Sequence, residues 1–197
     1  MTDPSSQPFD TWRRKATLAC WRFSVPRSSS AQPRDALVGC LLSAVRALEG
    51  FARPAEASWT SASTGEDAFE QEDLGRDPEA TLLASPLTDP TEVVLSLALF
   101  YADPAGGEHE IRRAGDLWVE LDPGDTLITV RLILDVDFYA WRSWGHDRDN
   151  RATAELNAPR LRTFLERLQR DMGATVEDID APDYPGQVDE RGFHLAE

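Results

Sequence analysis

From Thr126 to Ala140 the chain reads TLITVRLILDVDFYA, so that Ile128, Val130, Leu132, Leu134, Val136 and Phe138 alternate with Thr129, Arg131, Asp135 and Asp137. Period-two alternation over this length specifies a strand, because successive side chains of an extended chain point to opposite sides. One side is apolar and the other wet. The segment therefore calls for an antiparallel sheet with one covered face.

The neighbouring segments supply the rest of such a sheet. EVVLSLALFYA, from Glu92, is apolar on both sides and reads as a central strand. The turn ADPAGGEH, a strand over Leu117 to Leu121 and the turn DPGD connect it to the long strand as an antiparallel meander. Near the start, Thr17, Ala19, Trp21, Phe23 and Val25 share one side of a further strand. Leu37, Leu41, Val45, Leu48 and Phe51 recur at helical spacing over 34–51, with Gly50 and Pro54 as stops. A second helix is expected to be capped by Asn157, with Pro159 in its first turn, a stripe of Leu161, Phe164, Leu165, Leu168 and Met172, and Gly173 as its end. ATVEDID makes one more strand. Between Ala55 and Thr91 the pattern weakens to a solvated acidic loop, with Trp59 in a short strand and a short helix over 79–84. The expected fold is α+β: one domain over 16–181, a mostly antiparallel sheet, and two main helices packed on it. The order resembles an elaborated ferredoxin-like sheet. Residues 1–15 and 182–197 read as a loose tail and an irregular tail, and 62–91 as the acidic loop.

Composition narrows the function. Of 197 residues, 41% are hydrophobic and 28% charged, which fits one folded core rather than a disordered chain. The formal net charge is -15. Residues 1–60 hold 8 basic against 5 acidic side chains and the remainder 12 against 30. Such a field repels nucleic acid and anionic lipid and speeds encounter with a basic protein. MTDPSSQPFDTW lacks the apolar centre of a signal peptide, and no run reaches membrane-spanning length, so the expected location is cytoplasmic. Cys20 and Cys40 each lie in apolar runs and are expected as buried thiols, a single disulfide being the alternative.

No phosphate loop, dinucleotide fingerprint or nucleophile elbow is present, and no cofactor is expected. The densest polar group is Asp135, Asp137, His146, Asp147 and Asp149, with Trp141 and Trp144 among them. Two readings stand for it. As ligands, Asp135, Asp137, His146 and Asp149 mix carboxylate and imidazole in a way that suits a divalent metal and an enzyme, although the spacing matches no established signature. As a surface, the same loop combines carboxylates with Trp and Arg, the composition of binding hot spots. The expected partner-binding residues are Glu70, Glu72, Asp73, Asp135, Asp137, Trp141, Trp144, Asp147 and Asp149. In type, a small, acidic, cofactor-free cytoplasmic chain of this kind is similar to bacterial immunity proteins. That likeness implies a basic protein partner, a toxin domain such as a nuclease, whose active site is covered. A metal-dependent enzyme and an accessory subunit of a larger assembly are the alternatives.

Overall fold

The computed structural model describes residues 17–28, 31–61, 70–75, 77–84, 89–121, 124–141 and 149–194. Its elements are β1 (Ala19–Pro26), α1 (Pro33–Ala47), β2 (Ala52–Ser61), β3 (Glu70–Asp73), α2 (Pro78–Ala84), β4 (Pro90–Ala102), β5 (Glu108–Glu120), β6 (Leu127–Leu134), α3 (Arg151–Met172), β7 (Thr175–Asp180), β8 (Val188–Asp189) and β9 (Gly192–Phe193). The fold is α+β. An antiparallel sheet of seven strands in the order β3-β2-β4-β5-β6-β1-β7 carries the helices, and β8 and β9 form a separate hairpin.

Alternation sorts the side chains of the sheet. Ala57, Leu95, Leu117, Leu132 and Trp21 form one cross-strand row, and Trp59, Val93, Val119, Val130 and Phe23 the next. All ten are buried. Over them lie α1 and α3, packed against each other and on β4. Phe51 joins the two layers, with its ring stacked 4.9 Å from that of Phe164. Burying such large side chains is the main drive for folding. Among the described residues no helix packs on the opposite face, whose central row is Ser58, Val94, Trp118, Arg131, Arg22 and Asp178. Trp118, which fits a strand interior by sequence, stands there half-buried beneath the Arg131 guanidinium, 4.7 Å from its ring centroid.

Several elements differ from the sequence expectation. The long strand stops at Leu134 rather than continuing to Ala140. Beyond it the Asp135 N–H keeps one backbone bond to Ala114 and Val136 makes only an isolated bridge, while Val136 and Phe138 stay buried, so the alternation outlasts the regular ladder. The helix over 34–51 ends at Ala47, and Pro54 lies inside β2 beside a register shift, where the bulge removes the need for its missing N–H. The short strand expected at Trp59 runs over Ala52–Ser61, and residues 70–73 pair as a strand instead of looping. The strand expected over 117–121 starts at Glu108. α3 begins at Arg151 with Asn150 as its N-cap, so Asn157 and Pro159 are interior. Pro159 is tolerated because it is exposed, as is Glu155, whose carbonyl loses its helical donor to the proline ring. Asn157 is 0% exposed: its Nδ2 donates to the carbonyls of Ala102 and Thr153, and the Ala102 N–H donates to its Oδ1. In the ferredoxin-like arrangement one strand separates the two ends of the first crossover, whereas here β4, β5 and β6 lie between β1 and β2.

The segment after 181, expected to be irregular, carries the β8–β9 hairpin. Phe193 meets the Trp21 ring edge-on at 6.0 Å, and Trp21 Nε1 donates to the Asp189 carbonyl at 2.8 Å. Residues 1–16 lie outside the described residues.

Candidate functional site

The turn from β6 into α3 gathers buried polar groups. Among the described residues the buried polar and charged ones are Asp137, Asn150 and Thr153, in this junction, and Asn157, further along α3. The first three are there because the chain leaves the sheet and must satisfy backbone groups under cover. Asn150 Nδ2 donates to the Asp137 carbonyl at 3.3 Å, the Ala140 N–H to the same oxygen at 3.1 Å, and the Asn150 N–H to the Trp141 carbonyl at 3.1 Å. Burial also pushes the Tyr139 phenol well above its ordinary range.

This geometry corrects the placement of the carboxylates. Asp135 and Asp137 do not stand side by side on a wet strand face, because both lie past the end of β6. Asp135 is half-buried and its N–H donates to the Ala114 carbonyl at 3.0 Å, while Asp137 is only 3% exposed. Asp149 is exposed, and its Oδ1 accepts the Arg151 N–H at 2.9 Å. The Arg151 guanidinium covers the half-buried Trp141 ring at 4.3 Å. Thus Asp149 and Trp141 flank the helix start, and Asp137 lies beneath it. Trp144, His146 and Asp147 lie outside the described residues. Among the described residues no group of three or more His, Cys, Asp and Glu is arranged to hold a metal.

The acidic segment divides similarly. Glu70 and Glu72 belong to β3, one edge of the sheet, paired in register with Trp59 and Ala57. Asp73 is exposed and its Oδ1 accepts the Gly75 N–H at 3.0 Å. The opposite edge is acidic too: Glu177, Asp178 and Asp180 of β7 are all exposed. Sequence reasoning identified β7 as a strand but passed over its carboxylates, although an ordinary scan for charge on an outer strand would have marked them.

Other titrating groups are set by their neighbours. Asp116, half-buried on the helix-free face, is raised above its ordinary value by burial, against which the Ser96 hydroxyl donates to Oδ1 at 3.1 Å. Asp103 is held below its ordinary value by His109, whose Nε2 lies 2.6 Å from Oδ2, and by the Gly107 N–H. Arg160 lowers Glu108 and ties the β4–β5 turn to α3. Both cysteines are free thiols. Cys40 is buried and pushed up to about 12, and Cys20, half-buried on the helix-free face, is raised by desolvation. No described helix is long and apolar enough to cross a membrane. No family model matches the chain, and no curated protein or solved structure matches it either.

Proposed function

We propose that this chain is an acidic protein-binding module working in the cytoplasm, and more narrowly an immunity protein that neutralises a basic toxin domain, such as a nuclease, by covering its active site. The reading is carried by one observation: exposed carboxylates, Asp73 beside one sheet edge and Glu177, Asp178 and Asp180 on the other, in a chain of net charge -15. Short charged outer strands also discourage edge-to-edge aggregation, and that role is compatible with long-range attraction of a cationic surface. Asp149 and Trp141, at the exposed start of α3, supply a contact point of mixed charged and aromatic character. Asp137, being buried, supports that turn from within.

The test is affinity capture from the native host, followed by an activity assay of the captured protein with and without this chain. The expected result is a basic partner whose activity falls stoichiometrically. Absence of a specific partner, together with turnover of a small substrate by the isolated chain, overturns the reading.

A further inference from the structure

The helix-free face of the sheet carries a feature separate from the acidic edges. Arg131 of β6 and Arg22 of β1 are direct cross-strand neighbours, so two like charges stand side by side in a chain dominated by carboxylates. Arg131 is answered from one side: Nη2 donates to Glu120 Oε2 at 2.9 Å and lies 3.9 Å from Glu92 Oε2. Its Nε is buried with no hydrogen-bond acceptor, and so is Nε1 of Trp118, the next residue in the row. Arg22 is exposed and has no ion-pair partner among the described residues, although Asp178 stands opposite it on β7. A hollow of about 340 Å³ opens here, lined by Arg22, Arg131, Thr129, Glu120, Asp125 and Leu127.

We propose that this hollow binds a small carboxylate, held by the Arg22 guanidinium with Arg131 and the Thr129 hydroxyl beside it. The Arg22 guanidinium, without an ion-pair partner among the described residues, lines the hollow together with Thr129 and Arg131. The planar guanidinium fork matches a two-oxygen acceptor. Glu120 and Asp125 on the same lining repel a multiply charged anion, so a singly charged carboxylate fits better than phosphate, and one bearing an ammonium group fits best. The site is independent of the protein-binding reading, since it uses neither the acidic edges nor the start of α3.

The experiment is an NMR titration at constant ionic strength with acetate, glycine and inorganic phosphate, following the Arg Nε–H and Trp indole N–H signals. Expected are saturable shifts at Arg22, Arg131 and Trp118, stronger with glycine than with acetate and weakest with phosphate. Arg22→Gln is expected to weaken glycine binding at least tenfold, with Arg22→Lys intermediate. Because Arg22 is exposed, unchanged remaining signals will verify that these variants are folded. Shifts that do not saturate, that persist in Arg22→Gln, or that are strongest with phosphate would overturn the assignment.

Discussion

Asn157 replaces, for one residue of β4, the pairing that a neighbouring strand would supply: its amide takes both the N–H and the carbonyl of Ala102. Asn157→Ala removes both partners at once and is expected to cost about 1 to 3 kcal/mol in urea denaturation. Asp116 presents the reverse case, a carboxylate that the fold disfavours. Burial raises it above its unfolded value of 3.8, so its contribution to stability is full below that value and is lost as pH rises through its folded pKa. Asp116→Asn should accordingly raise the urea midpoint at pH 7 and leave it unchanged at pH 3, where the native carboxyl is already neutral. A lower midpoint at pH 7 would show that the charge is held by something stronger than the Ser96 hydroxyl. Neither residue was legible in advance, because each acts through a partner distant in sequence: Asn157 reads as a helix cap until Ala102 is placed beside it.

At the scale of elements, period-two alternation located β1, β4 and β6, and helical spacing located α1 and the second half of α3, because burial of one side leaves its imprint on residue type. What failed were the ends. Val136 and Phe138 continue the alternation of β6 into the core beyond its regular ladder, and this misplaced Asp135 and Asp137, two of the expected site residues. β2 was cut down to a short strand at Trp59 by Pro54 and its bulge, and β3 was hidden by its polarity, since an edge strand such as EQED carries no apolar signature. The paired strands make a sharp demand at Gly115, where an added Cβ would fall 2.4 Å from the Ile133 carbonyl oxygen. Gly115→Ala therefore forces β5 away from β6 and should cost about 1 to 3 kcal/mol. In the facing layer, Phe164→Ala removes the ring stacked on Phe51 and should cost about 3 to 5 kcal/mol. Equal midpoints for either variant and the parent in urea would contradict these packing arguments.

For the molecule as a whole, charge and shape act on different steps of binding. On the proposed reading, the field of a chain of net charge -15 sets the rate of encounter, and an aromatic contact such as Trp141 the rate of escape. With the captured partner, replacing Glu70, Glu72 and Asp73 by neutral residues should slow association several-fold and flatten its salt dependence, leaving dissociation nearly unchanged in stopped-flow measurements. Equal slopes against salt for variant and parent would move the acidic contribution elsewhere, β7 being the next strand to neutralise. The sheet order has a separate outcome, which concerns how the polypeptide is made. β1 is the first strand of the sheet to leave the ribosome, yet it sits between β6 and β7, and its Trp21 is closed over by Asp189 and Phe193. A growing chain must carry Trp21 and Phe23 unpaired until residues 127–134 are synthesised, and Trp21 uncapped until residue 193 emerges. Folding is thus late and rests on distant contacts, so stalled translation products would expose an apolar strand and become clients for chaperones.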